Sequence, residues 1–209
     1  MIVYLMRHGE TDWNKARRLQ GQSDIALNEN GIDLARKTAA GLKGVTFDRV
    51  FSSPLKRALM TAQIVAAESG CAVETDDRLK EINFGPSEGE CFDPAKKDPA
   101  HPLHNFFCRP EAFHPTDGAE ALDAARERAF AFLQEKVLPL EGSCEAILIV
   151  AHGALNRCIL NRLAGIPDER FWQIELANCA VSILCAEDGE LRILEQSKVY
   201  YGTPVNGRP

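Results

Sequence analysis

Two histidines and two arginines in this 209-residue chain are of the types that phosphoryl transfer requires. A neutral imidazole can attack phosphorus in line, and His8 is the candidate nucleophile. Guanidinium groups match two phosphoryl oxygens with paired N–H donors, so Arg7 and Arg57 are candidates for a phosphate clamp. A protonated His152 would add positive charge, and the backbone N–H of Gly153 would add a donor at a helix N-terminus. The residue types therefore predict a phosphoryl-transfer site.

A carboxylic acid is also needed to protonate the leaving oxygen of a phosphate ester. Glu81, in the segment LKEINFGPSEGE, is the candidate for this proton donor. An adjacent phosphate anion would favour the protonated form that an acid must hold. Glu88 and Glu90 are the nearby alternatives.

Short apolar runs precede these residues and predict the strands that position them. The run Met1–Met6 ends at Arg7, a second run over 47–51 leads into SSPLKR, and AILIV over 146–150 precedes His152. Ligand crevices in parallel sheets lie beyond the carboxyl ends of the strands. We therefore expect the three segments to face one crevice.

The alternation of strand and helix patterns predicts an α/β fold. It is a three-layer sandwich, with a mostly parallel central sheet, helices on both faces and one antiparallel edge strand from the hairpin around Asp188-Gly189. A further short strand is predicted over 72–74, and helices over 27–42, 55–67, 119–137 and 154–164. The length suits a single domain spanning 1–209.

Residues from about 86 to 118 interrupt this alternation and predict a lid-like insertion. The stretch is rich in Pro, Gly, Lys, Asp and His and lacks a regular period, as lids and binding loops often do. It contains His101, His104 and His114, but a zinc site needs about four ligands and no fourth is evident. We expect no metal site.

The composition indicates which classes of binding partner and which cellular location are expected. With 26% charged residues, a net charge of −6 and no Lys/Arg-rich block, nucleic acid and anionic membranes are not expected as partners. Seven cysteines without a C-x-x-C spacing suit a reducing environment. The short apolar N-terminus does not match a signal peptide, and no run approaches the roughly 20 apolar residues of a membrane span, so a cytoplasmic location is predicted.

Four ordered blocks carry a resemblance to a known family. They are RHGETDWN (7–14), FSSPLKRALMTA (51–62), RLKEINFGPSEG (78–89) and VAHGALNR (150–157). The chain resembles the histidine phosphatase superfamily, also called the phosphoglycerate mutase-like family. The resemblance implies roles residue by residue. His8 is the phosphorylated histidine, Arg7, Arg57 and His152 form the phosphate pocket, Glu81 is the proton donor, and Asn14, Gln20 and Gly21 contact substrate or phosphoryl oxygens. No metal or organic cofactor is implied for the phosphatases.

The sequence is interpreted as a phosphomonoesterase that acts on small phosphorylated metabolites through a phosphohistidine, as a monomer or homodimer. Two departures from the family pattern leave the substrate open: the unusual stretch after Glu90, and Gly118-Ala119-Glu120-Ala121 where the family usually has a serine. The alternatives are a cofactor-dependent phosphoglycerate mutase, a phosphatase for ribazole phosphate or fructose 2,6-bisphosphate, and a non-catalytic phosphate-binding regulator. The insertion has Lys96, Lys97 and Arg109 but no adjacent arginine pair, which favours the phosphatase over the mutase.

Overall fold

Six strands form a single mixed sheet in the computed structural model, which describes residues 1–116 and 118–202. In chain order they are β1 (Ile2–Arg7), β2 (Arg49–Ser52), β3 (Val73–Thr75), β4 (Ala146–Ala151), β5 (Val181–Glu187) and β6 (Glu190–Lys198). Their order across the sheet is β3-β2-β4-β1-β5-β6. β1 to β4 run parallel to one another, which confirms the mostly parallel sheet.

The antiparallel part of the sheet comprises two strands. β5 pairs antiparallel with β1, and β6 pairs antiparallel with β5 through the turn at Asp188-Gly189. The expected hairpin is therefore present, but its first strand is internal and only β6 forms the edge. The reason is that β1 has an unpaired side away from β4, which β5 covers.

Seven α-helices flank the sheet in the described part of the chain. They are α1 (Asp12–Lys15), α2 (Glu29–Gly41), α3 (Lys56–Val65), α4 (Phe92–Lys97), α5 (His104–Cys108), α6 (Leu122–Phe132) and α7 (Gly153–Ala164). One core cluster includes Ala35 of α2 and Ala62 of α3, and the other includes Ala129 of α6 and Ile159 of α7. The helices thus cover both faces of the sheet, as predicted. Among these described helices, none combines the length and apolar character that crossing a bilayer requires.

The helix predicted over 119–137 is shorter and less regular than expected. It begins at Leu122, because the N–H of Glu120 donates to the carbonyl of Asn83 instead of entering a helical turn. After Phe132 the chain continues as a π-helical turn over Leu133–Val137.

The start of α2 packs closely against the loop that follows β1. Asn28 caps the helix by accepting from the N–H of Gly31, and its Nδ2 donates to the carboxylate of Glu10 at 3.0 Å. A Cβ added at Gly31 would lie 2.1 Å from the backbone oxygen of Glu10. Glycine is therefore needed here for the close approach of helix and loop.

The segment 86–116 folds into α4, α5 and short turns that pack on the remainder through aromatic side chains. Phe106 is 1% exposed and its ring contacts Phe84, Phe113 and Trp172. Near the start of this segment, Asp93 accepts two hydrogen bonds from Arg17, at 2.9 and 2.6 Å. Aromatic packing explains why this stretch lacks a helical period and is nevertheless folded.

Candidate active site

The carboxyl ends of β1, β2 and β4 meet in one crevice, as their positions in the sequence predict. Arg7 pairs with Ala151 across β1 and β4, and the N–H of His8 donates to the Ala151 carbonyl at 3.0 Å. The rings of His8 and His152 consequently lie with their centroids 5.1 Å apart. A cavity of about 110 Å³ opens at this point. Its lining includes eight predicted site residues: Arg7, His8, Asn14, Gln20, Gly21, Arg57, Glu81 and Gly153.

His8 is buried and its hydrogen bond defines which nitrogen carries the proton. Its Nδ1 lies 2.6 Å from the carbonyl oxygen of Gly9, and a carbonyl can only accept, so Nδ1 is the donor. Nε2 then keeps its lone pair when the ring is neutral. Burial, followed by the charges of Arg57 and Arg7, lowers the pKa of His8 well below its usual range. The ring is therefore a neutral imidazole with a nucleophilic Nε2.

Arg57, near the N-terminus of α3, is fully buried and held by three hydrogen bonds. It donates to the backbone oxygens of Ser23 at 2.7 Å and Gly21 at 2.6 Å, and its Nε donates to His152 Nδ1 at 3.3 Å. Burial lowers its pKa to about 10, so it remains a cation at neutral pH. The fixed guanidinium supplies positive charge without reorganising when an anion binds.

His152 accepts a hydrogen bond from Arg57, which favours a neutral ring over the protonated ring that the residue types predict. Because its Nδ1 accepts from Arg57, the ring proton resides on Nε2. Burial, followed by the charges of Arg57 and His8, lowers the pKa of His152 well below its usual range. Its Nε2 has no hydrogen-bond partner among the described residues. His152 therefore offers an N–H donor in place of the expected positive charge.

Arg7 lies beside the first turn of α7. Its Nη1 donates to the carbonyl of Leu176 at 2.6 Å, and burial lowers its pKa. A Cβ added at Gly153 would lie 3.3 Å from Arg7 Nε, so the glycine leaves room for the guanidinium. Two guanidinium groups and one neutral imidazole thus surround His8.

Glu81 occupies the N-terminus of α7. Its carboxylate oxygens accept from the backbone N–H groups of Ala154 at 3.0 Å, Leu155 at 2.9 Å and Ile82 at 3.0 Å. Since all three partners are donors, both oxygens act as acceptors. Oε2 accepts only the bond from Ala154, so it keeps a second lone pair on which a proton could reside.

The two alternative carboxylates are engaged elsewhere. Glu88 accepts from the backbone N–H groups of Gln22, Ser23 and Phe84 and fixes the loop that follows α1. Glu90 lies against His101 with half of its side chain exposed. Of the three carboxylates weighed as the acid, only Glu81 lines the cavity.

A comparison with family models matches residues 3–198 to the histidine phosphatase superfamily, branch 1. The chain belongs to this superfamily. A probable phosphoglycerate mutase, GpmB of Serratia proteamaculans, is 35% identical over 184 residues, which cover 86% of this chain and 82% of that protein.

Solved structures similar to this superfamily member include YhfR of Bacillus stearothermophilus, with a TM-score of 0.87, 30% identity and coverage of 95% and 97% of the two chains. Another is a mutant of a phosphoserine phosphatase from Entamoeba histolytica in complex with phosphoserine. It has a TM-score of 0.82, 28% identity and coverage of 94% and 96%. These similarities confirm the α/β fold and the family, and they include proteins named as mutases and as phosphatases.

Sequence reasoning missed one buried cation of this histidine phosphatase site. Arg157 lines the cavity, is 2% exposed and lies over the ring of Trp172 at 5.0 Å. It donates to the carbonyls of Ile174 at 2.9 Å and Gly153 at 3.0 Å, and burial lowers its pKa to about 9. The sequence pattern that could have identified Arg157 is its spacing of four residues from Gly153, which places both residues on one face of α7.

The individual residues of the outer walls of the cavity were not predicted, although a lid-like insertion was expected over 86–118. They comprise Arg17, Arg18, Leu19, Phe84, Phe92, Phe106, Phe107, Ala154 and Trp172. Several come from the segment 86–116, whose packing depends on distant elements. The cavity therefore has a polar floor at His8 and a largely aromatic wall.

Proposed function

We propose that the protein is a phosphomonoesterase that transfers the phosphoryl group of a small phosphate monoester to Nε2 of His8 and then to water. The observation that carries this proposal is the hydrogen bond from His8 Nδ1 to the Gly9 carbonyl. It leaves the Nε2 lone pair available in a cavity lined by Arg7 and Arg57.

In the first step a bond forms between Nε2 and phosphorus while the ester P–O bond breaks. Arg7 and Arg57 would balance the charge of the equatorial oxygens, with additional donors from His152 Nε2–H and the Gly153 N–H. Glu81 would give the leaving oxygen its proton and would remain as a carboxylate.

In the second step water attacks phosphorus and the Nε2–P bond breaks. Glu81 takes the water proton, inorganic phosphate leaves, and His8 returns to a neutral ring. The position of Glu81 at the cavity wall supports both of its transfers.

The lining of the cavity supports a small phosphorylated substrate. Arg7 and Arg57 would bind the phosphate, and the aromatic rings of Phe84 and Trp172 would contact the remainder of the substrate. A similar solved structure holds phosphoserine, which makes a short phosphorylated metabolite a candidate. Fructose 2,6-bisphosphate and a ribazole phosphate stay alternatives.

A phosphoglycerate mutase is the second candidate, because the GpmB relative carries that name. The orientation of the basic residues in the insertion argues for the phosphatase. Lys96 lies over the rings of Phe92 and Phe107, and Arg109 pairs with Glu111. Among the described residues that line the cavity, Lys96 and Arg109 are absent.

The chain is further proposed to act as one domain over 1–209, with the segment 86–118 covering the site. Phe92, Phe106 and Phe107 of this segment line the cavity, and Asp117 lies outside the described residues. All seven cysteines are free, which supports the proposed cytoplasmic location. Monomer or homodimer stays a prediction.

The test compares wild type with His8→Ala and Glu81→Gln, and uses His114→Ala as a control at an exposed histidine. Phosphate release from p-nitrophenyl phosphate and phosphoserine is measured, together with acid-labile phosphoprotein. His8→Ala should lose at least about a thousandfold in turnover, roughly 4 kcal/mol, whereas His114→Ala should retain it. Glu81→Gln should slow phosphoserine more than p-nitrophenyl phosphate, whose leaving group needs no proton.

Two outcomes would contradict the proposal. Full turnover in His8→Ala would remove His8 as the nucleophile. Rapid bisphosphate-dependent isomerisation of 3-phosphoglycerate, without phosphate release, would identify a mutase.

A further inference from the structure

A loop far along the chain forms hydrogen bonds with the segment that carries His8. It comprises residues 176–180, between α7 and β5, and we call it the back loop. Its Leu176 carbonyl accepts from the Arg7 guanidinium, and its Ala180 carbonyl accepts from the Arg7 N–H at 3.0 Å. The loop is thus bonded to the same short segment that carries His8.

Asn178 is the side chain of the back loop that reaches the nucleophile segment. It is 1% exposed, and its Nδ2 lies 3.1 Å from the His8 carbonyl, 3.2 Å from the Gly9 carbonyl and 3.4 Å from Asn14 Oδ1. Asn14 Oδ1 itself accepts from Thr11, so all three partners are acceptors. The network therefore requires the amide nitrogen of Asn178, and not its oxygen, to face the segment.

The backbone around Asn178 is held in place from two sides. Cys179 adopts a left-handed conformation with φ of 59°, and its N–H donates to the carbonyls of Arg7 at 3.1 Å and His8 at 3.2 Å. A non-glycine residue in this region is strained and persists only where its surroundings impose it. On the other side, the hydroxyl of Tyr201 donates to the carbonyl of Asn178.

The Gly9 carbonyl has a central place in this network. It accepts from Asn178 Nδ2 and also from His8 Nδ1. A carbonyl that is free to rotate would no longer hold the Nδ1 proton in place. The other neutral tautomer carries its proton on Nε2 and has no lone pair there to attack phosphorus.

We propose that Asn178 is a positioning residue that makes Nε2 the attacking nitrogen of His8 by fixing the Gly9 carbonyl. The proposal deepens the proposed function and rests on it, because it assumes that His8 is the nucleophile. Asn178 acts through Gly9 and His8 and does not itself touch the reacting atoms.

The experiment compares Asn178→Ala, Asn178→Asp and Tyr201→Phe with wild type. The matched control is Asn161→Ala on α7, since Asn161 is also 1% exposed and its Nδ2 donates to the Phe171 carbonyl at 3.0 Å, away from the nucleophile. Single-turnover phosphorylation by p-nitrophenyl phosphate gives the rate, and two-bond ¹H–¹⁵N NMR gives the His8 tautomer. Thermal unfolding confirms that each variant is folded.

Wild type should show His8 protonated at Nδ1 only. Asn178→Ala should phosphorylate about 10- to 100-fold more slowly, the effect of a nucleophile displaced by about 1 Å, and should show the Nε2–H tautomer. Asn178→Asp should be slower still, because its carboxylate faces three acceptor oxygens, and Tyr201→Phe should have a smaller effect. Asn161→Ala should keep both the rate and the tautomer.

Three results would overturn the proposal: a rate for Asn178→Ala within threefold of wild type, a slower rate with the wild-type tautomer, or an equal loss in Asn161→Ala. The NMR measurement needs no turnover, so it still tests Asn178 if His8 is never phosphorylated.

Discussion

Lowering the pH should reduce the free energy of unfolding because of His8 and His152. Replacing either histidine should remove its contribution to this loss of stability. Both side chains are buried, and burial lowers both pKa values well below the ordinary value of 6.5. In the unfolded chain each titrates near its reference value, about 6.5. Below that pH the unfolded state therefore binds protons that the folded state does not, and stability falls as pH falls.

The size of this loss of stability follows from the number of protons that the unfolded chain binds and the folded chain does not. Each histidine contributes stability that is fully present above about pH 6.5 and is lost as pH falls toward its folded pKa. One proton corresponds to about 1.4 kcal/mol per pH unit, so from pH 7.5 to 5.5 each ring accounts for up to about 1.4 kcal/mol and the pair for up to about 3 kcal/mol.

Urea unfolding at pH 7.5 and 5.5 measures this difference in wild type, His8→Asn and His152→Asn. Carboxylates and the other three histidines contribute equally to every variant, so they cancel when the pH differences are compared. Each single variant should reduce the pH-dependent loss by up to about 1.4 kcal/mol. If both variants lose as much stability as wild type, the rings are not held neutral and the reasoning is wrong.

Three further substitutions test the framework of the site. Arg57→Lys cannot replace all three hydrogen bonds, so single-turnover phosphorylation should slow about 100-fold; a rate within threefold of wild type would contradict the clamp. Gly31→Ala places a Cβ 2.1 Å from a backbone oxygen. It should lower the free energy of unfolding, measured by urea unfolding, by about 1–3 kcal/mol. The control Gly202→Ala has open space around it and should leave the stability unchanged. Phe106→Ala should cost about 3–5 kcal/mol and raise KM, since the ring is buried and lines the cavity; an unchanged KM would exclude it as a wall of the binding site.

The strands and the residues that follow them can be predicted because both signals are local. A buried parallel strand is an apolar run, and its carboxyl end marks the crevice whatever the rest of the chain does. This rule places His8, Arg57 and His152 together although they are widely separated in sequence. It says nothing about the polar partners of each side chain.

Those partners depend on burial and on contacts that no local pattern encodes. The neutral state of His152 follows from its burial and from the hydrogen bond with Arg57. The role proposed for Asn178 depends on how β5 aligns with β1, which sets the back loop behind Gly9. The segment 86–116 has no periodic signal for its elements, because its short helices are stabilised by aromatic contacts with distant residues.

The placement of β1 between β4 and β5 delays the assembly of the site during synthesis on the ribosome. His8 is made long before the neighbours of its strand, which begin at Ala146 and Val181. At about 5–20 residues per second, roughly nine to thirty-five seconds separate the nucleophile from its second neighbour. Until then β1 can pair only with β4, and the back loop that bonds to the segment of His8 is not yet in place. A nascent chain released early would therefore carry the nucleophile without the means to use it.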